Sequence, residues 1–177
     1  MLMLALTASV FSASAQKFMT RTGKVTFFSS TPVENIEAVN NEAAAAVDAG
    51  TGDVVFQVPI QSFKFEKSLM QEHFNENYME SDKFPKAIFK GNIGKGAANF
   101  SKDGNYPVTA KGKLTIHGVT KDVSIPGTIT VKNGAVTTVS KFQVATADYG
   151  IKIPSVVESK IAKSIEVTIN SILSAVK

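Results

Sequence analysis

The chain has 177 residues, 19 Lys+Arg against 15 Asp+Glu for a net charge of +4, 44% hydrophobic and 19% charged residues, and neither Cys nor Trp. That size suits one ordinary domain, and the balance of apolar and charged residues points to neither a disordered chain nor a multi-span membrane protein. Without Cys, a disulfide scaffold, a thiolate zinc site and a cysteine nucleophile are excluded, and with Arg21 the sole Arg, bidentate nucleic-acid readout is not expected.

Residues 1–15 read as a signal peptide. They carry no charged side chain, Leu2, Leu4, Leu6, Val10 and Phe11 form a short apolar core, and Ala13-Ser14-Ala15 supplies the small residues a signal peptidase reads before Gln16. The basic segment that normally precedes such a core is missing, which leaves open a start upstream of Met1, or an apolar strand in place of a signal. The run falls short of the ~20 residues a membrane-spanning helix needs, and a lipid-anchored N-terminus would require Cys. The expectation is an exported periplasmic or extracellular protein whose folded domain covers residues 16–177.

After Gln16 the hydrophobic pattern has period two, which puts alternate side chains on opposite faces of a sheet. Val54, Phe56, Val58 and Ile60 form one such row; Val108, Ala110, Gly112, Leu114 and Ile116 form another. Val119, Val123, Ile125, Ile129 and Val131 share a face opposite Thr120, Asp122, Ser124, Thr128 and Thr130, and Ile165, Val167, Ile169 and Leu173 close the series. Turn residues fall at Ala49–Gly52, Lys102–Asn105, His117-Gly118 and Asn133-Gly134, where hairpins require them. Residues 66–80 differ: Leu69, Met70, His73, Phe74 and Tyr78 recur at helical spacing, and Ser81–Pro85 ends the segment. Further helical turns are expected near Pro32–Val39 or Pro154–Ala162. One all-β domain with a short helix follows, an antiparallel sandwich or barrel.

Phe27, Phe28, Phe56, Phe63, Phe65, Phe74, Tyr78, Met79, Phe84, Phe89 and Phe142 stand out against a background of Val and Ala. Such side chains either fill a core or line the cavity of an eight-stranded barrel. His117, beside Gly118 and close to Lys113, Lys121 and Asp122, reads either as a polar contact or base, or as a histidine that fixes its turn. His73 with Glu76 at i, i+3 supplies only two ligands, so no metal site is expected. Gly91–Gly96 looks like a phosphate loop but lacks the helix start that would aim N–H groups at a phosphate. A transmembrane barrel conflicts with the Lys, Thr, Asp and Asn on the faces opposite the core.

Two separated stretches together carry a family resemblance. Gly112-Lys113-Leu114-Thr115-Ile116-His117-Gly118-Val119-Thr120-Lys121 resembles the signature strand pair of the YceI-like family, polyisoprenoid-binding, lipocalin-like periplasmic proteins. Leu69–Phe74, Tyr78–Pro85, Phe89 and Gly91 are similar to its helix and following strand, and with Gly23–Phe27 and Ile165–Ile169 the likeness covers nearly all of residues 17–175. The family's usual opening, an aromatic, Asp and then His-Ser, is replaced here by Gln16-Lys17-Phe18-Met19-Thr20-Arg21.

The resemblance implies a single eight-stranded antiparallel lipocalin-like β-barrel around an isoprenoid or other long-chain lipid, with a polar head near its mouth. The expected apolar lining is Phe27, Phe56, Phe63, Phe65, Leu69, Phe74, Phe89 and Phe142. His117, His73, Lys113 and Arg21 are the candidates for the polar head, chosen for charge and not as matched family contacts. No catalytic residue, cofactor, metal or nucleic-acid partner is expected, and the oligomeric state is not legible. Two rivals stay open: an enzyme for a hydrophobic substrate with His117 or His73 as base, and a ligand-free, filled barrel.

Overall fold

The computed structural model describes residues 16–176, so the expected signal segment lies outside the described residues. Ten elements follow in order: β1 (Lys17–Ser30), β2 (Asn35–Asp48), β3 (Asp53–Pro59), the two-residue β4 (Lys64–Phe65), α1 (Ser68–His73), β5 (Lys86–Asn92), β6 (Gly104–Ile116), β7 (Val119–Lys132), β8 (Ala135–Ala145) and β9 (Ser164–Ala175). The sheet runs β1-β9-β8-β7-β6-β5-β3-β2, and β2 pairs back onto β1, so eight antiparallel strands close into a barrel. Short β4 extends the wall beside the upper half of β2 after β3 has turned away. Asn40, fully buried, occupies the junction: its amide donates to the Pro59 carbonyl at 2.7 Å, and its side-chain oxygen accepts from the Glu42 N–H at 2.8 Å.

The tight turns have the chemistry their positions need. His117-Gly118 and Asn133-Gly134 each join two strands through two residues with positive φ, 50° and 74° in the first, 50° and 79° in the second, the type I′ geometry that matches strand twist. The period-two rows on β3, β6, β7 and β9 point their apolar members inward. The helical segment is α1 followed by a π-helical turn over Phe74–Tyr78, and a short helical turn occurs at Ser155–Val157. The turn expected at Pro32–Val39 is not helical: Asn35 onward belongs to β2, paired from Ser30↔Asn35 along its whole length to β1. The run Ala43–Ala46 inside β2 would favour a helix by propensity alone, but it is held between β1 and β3, and ladder pairing on both edges outweighs propensity.

Those alanines give the barrel room for rings. Ala38 lies between Phe27 and Phe65 on its two neighbours, and Ala45 lies opposite Phe56. The lower end is packed shut: Phe18 stacks on Phe100 at 5.4 Å, and Val47, Ile93, Ala98, Val131, Val136 and Leu173 fill the space around them. The upper end carries the β1–β2 hairpin, the segment from Ile60 to Pro85, the His117-Gly118 turn and the long connection from β8 to β9.

One close approach has a direct test. Gly91 and Gly112 face each other across β5 and β6, and a Cβ on Gly112 would collide with the Lys90 carbonyl and the Gly91 Cα. Backbone cannot yield as a flexible side chain would, so Gly112→Ala is expected to cost about 1–3 kcal/mol. Urea unfolding should show a lower midpoint at an unchanged slope.

Candidate functional site

The packing is looser toward the upper end of the barrel. The barrel encloses a cavity of about 530 Å³, bordered by the inward rows of the strands, roofed by Leu69, Met70, His73, Phe74 and Tyr78 on one side and by Ile151, Ile153, Val157 and Ile161 on the other. Polar side chains on this boundary are the minority: Ser29, Thr128, Thr138, Ser140 and Thr146 on the wall, and Glu34, Lys67, His73 and Lys160 around the opening. The roof segments lack strand pairing of their own, so the space opens upward between α1 and the β8–β9 connection.

All eight apolar residues named from the sequence, Phe27, Phe56, Phe63, Phe65, Leu69, Phe74, Phe89 and Phe142, border this cavity. Four of them form one cluster: Phe27 lies 5.4 Å from Phe63, 5.5 Å from Phe65 and 5.3 Å from Phe74, and Phe74 lies 5.6 Å from Phe63 and 5.1 Å from Phe65, centroid to centroid. Tilted and edge-on pairs of this kind add to simple area burial, and they anchor the helical roof to β1 and β4. Phe56 and Phe89 are directly opposite in register on β3 and β5. Leu69 is 59% exposed although it borders the cavity, which places it at the rim.

The four polar candidates are scattered. His73 borders the mouth, together with Lys160 and with Lys67, whose ammonium pairs with Glu34 at 3.5 Å; sequence reading missed both lysines, because nothing in their spacing separates them from other surface lysines. Lys113 projects from the outer face of β6 into an ion pair with Asp122 at 3.0 Å. Arg21 is exposed near the irregular pairing at the lower end of β1. His117 also lies off the cavity lining. Its Nε2 is 2.8 Å from Glu80 Oε2, its Nδ1 is 3.2 Å from the Tyr149 carbonyl, and Phe84 packs edge-on against the ring at 4.7 Å. Both ring nitrogens are engaged, one with a carboxylate and one with a backbone carbonyl.

His117 thus ties the β6–β7 turn to the end of the helical roof and to the segment after β8. Both His117 and Glu80 have positive φ, 50° and 42°, a conformation that costs a side-chain-bearing residue about 1–3 kcal/mol. The contact between them holds both in place. It also holds the Glu80 carboxyl below the usual glutamate range, assisted by the Lys83 ammonium at 3.6 Å and opposed by partial desolvation. Among the described residues, no group of three or more His, Asp or Glu gathers as a metal site requires.

The chain matches the model of the YceI-like domain over residues 5–172 and belongs to that family. Three solved structures share its fold. A polyisoprenoid binding domain from Saccharophagus degradans, implicated in plant cell wall breakdown, is 12% identical with a TM-score of 0.78 and covers 92% of this chain and 100% of its own. BcnA of Burkholderia cenocepacia is 18% identical at a TM-score of 0.69, covering 86% and 96%. A YCEI protein of Campylobacter jejuni is 18% identical at 0.56, covering 77% and 81%. No curated protein matches the chain.

Because folding lowers the pKa of Glu80, its contribution to stability is present above the ordinary carboxylate range and is lost as the pH falls through the folded-state value. Glu80→Gln should therefore lower the melting temperature at neutral pH and flatten its decline into acid. Thermal unfolding followed by circular dichroism across that range reads both effects.

Proposed function

We propose that this protein is a carrier or sequestering protein that binds the apolar tail of an isoprenoid or other long-chain lipid inside its barrel. The observation that carries this reading is the cavity itself: about 530 Å³, within the range of about 300–1,000 Å³ common for ligand pockets, and bordered almost wholly by apolar side chains. The fold likeness to a polyisoprenoid binding domain supports the isoprenoid class. Transfer of a tail into such a space is favourable by ~0.8 kcal/mol per CH₂, or about 4 kcal/mol for each five-carbon unit. A membrane offers the tail a similar environment, so net affinity depends on the fit of the chain to the cavity and on the head group. Lys67, Lys160 and His73 at the mouth suit an anionic or hydrogen-bonding head.

Binding of this kind requires a shaped apolar space and no bond-making chemistry. His117 supports the binding reading over a catalytic one, since both its ring nitrogens are engaged in holding the structure together. Residues 1–15 support export, with the mature chain beginning at Gln16; the N-terminal sequence of protein recovered from outside the cytoplasm tests this.

The mature chain purified without detergent and examined by native mass spectrometry is expected to carry a stoichiometric lipid, identified after solvent extraction. If the purified protein is bare and prenyl lipids added to it raise neither mass nor melting temperature, the reading fails. Replacing Phe56 and Phe89 by Trp should fill part of the cavity and weaken binding of a long-chain prenyl lipid by about tenfold or more, a loss of ~1.4 kcal/mol. The chain has no Trp of its own, so the fluorescence of the two introduced indoles follows occupancy directly.

A further inference from the structure

The ladder between β7 and β8 covers only their lower halves. Pairing runs from Lys132↔Ala135 to Gly127↔Ser140 and stops there, although β7 continues up to Val119 and β8 to Ala145. Above that point β7 is paired with β6 alone and β8 with β9 alone. One residue marks the point where the ladder ends. The two-residue turn at Asn133-Gly134 makes Lys132 and Ala135 a hydrogen-bonded pair, and the alternation of antiparallel ladders then directs the N–H and C=O of every even-numbered β7 residue toward β8. The next member of that series is Pro126, which has no N–H to donate. Its carbonyl does face β8, where the Ser140 hydroxyl donates to it at 2.6 Å and ends the ladder.

The cavity reaches this break in the wall. Ile125 and Phe142 border it from the inward faces, and so do Pro126 and Val139, which alternate with the inward rows and are exposed to solvent, Val139 to 43%. At the upper end only side chains bridge the two arms: His117 Nδ1 lies 3.2 Å from the Tyr149 carbonyl, and Lys121 Nζ lies 3.8 Å from Asp148 Oδ1.

We propose that this break is a lateral portal, through which a long apolar chain enters the barrel sideways between β7 and β8. The proposal rests on the lipid-binding reading above. The mouth carries Lys67, Glu34, Lys160 and His73, so a tail threaded end-on would slide its whole length past charged groups. A lateral slit lets the tail enter broadside against Ile125 and Phe142 while a polar head stays outside. Opening requires the loss of a few side-chain contacts and no backbone ladder, the kind of local motion that costs far less than unfolding.

The chain has no Cys, so an introduced pair is unique. Lys121→Cys with Asp148→Cys, joined by a short reductant-cleavable bis-thiol linker, locks the top of the slit. Thr130→Cys with Thr137→Cys, opposite each other within the intact ladder, is the control. The probe is a farnesyl chain bearing a dansyl group, with stopped-flow fluorescence as the readout. Locking the slit should slow association about tenfold or more with little change in Kd, and cleaving the linker should restore the rate, the signature of a gate. The control should load at the same rate linked or cleaved. Pro126→Val returns the missing donor, so it should extend the ladder to Lys141, slow loading and raise the urea midpoint. Equal rates in the locked and cleaved forms, or equal slowing of the control, would overturn the portal and leave lipid binding standing. Failure of the wild-type chain to bind the probe at all would overturn both.

Discussion

Closure of the sheet depends on β1, which pairs along one edge with β2, its neighbour in sequence, and along the other with β9 from the far end of the chain. Its 14 residues take β2 on one side and β9 on the other. The irregular pairing around Gly23 is what permits both, because a Cβ there would run into the Ser171 hydroxyl and press on the Ala43 carbonyl, and the strand bends where a side chain is missing. Without this double pairing the molecule would be an open sheet with two free edges and no interior to hold anything.

Given closure, the contents of the barrel follow from side-chain size. At the lower end Phe18 and Phe100 stack among Val, Ile and Leu and leave no space. Higher up, Ala87 and Ala110 line the wall with little volume, and the Phe27, Phe63, Phe65 and Phe74 cluster is gathered to one side beneath the helical roof. The unfilled space between them is the cavity. The roof is attached to the wall by that aromatic cluster and, at the far end of the helical segment, by the Glu80–His117 contact. Elements above the cavity are therefore held mainly by side chains while the strands around it are held by backbone ladders except between the upper halves of β7 and β8, a division that puts motion at the opening and at that break and rigidity in the rest of the wall.

The sequence showed the strands wherever period-two alternation was strong, as in Val119–Val131, and showed the turns wherever two consecutive residues had to adopt positive φ, as at His117-Gly118. It obscured β2, since Ala43–Ala46 carries no alternation of hydrophobicity and the first residues after Pro32 resemble a helix start. It also named eight apolar residues that border the cavity, because large aromatic side chains within alternating strands have few places to go except inward. The polar candidates were less legible. Arg21, Lys113 and His117 share charge or chemistry with His73, but only His73 reaches the mouth, and one-dimensional spacing holds no information on which end of a barrel a loop occupies.

Composition, alternation and turn residues together determined an all-β, antiparallel, single-domain protein, because those signals are local and each strand states its own two faces. The tertiary structure alone decided that the barrel is packed loosely toward its upper end and filled below, that His117 binds Glu80 and the Tyr149 carbonyl instead of facing the interior, and that the ladder between β7 and β8 stops at Pro126. Each of these depends on which residues from distant parts of the chain meet across the closed sheet, and on how much volume they leave between them. Such quantities are sums over many contacts, and they have no value until closure has set the register of every strand.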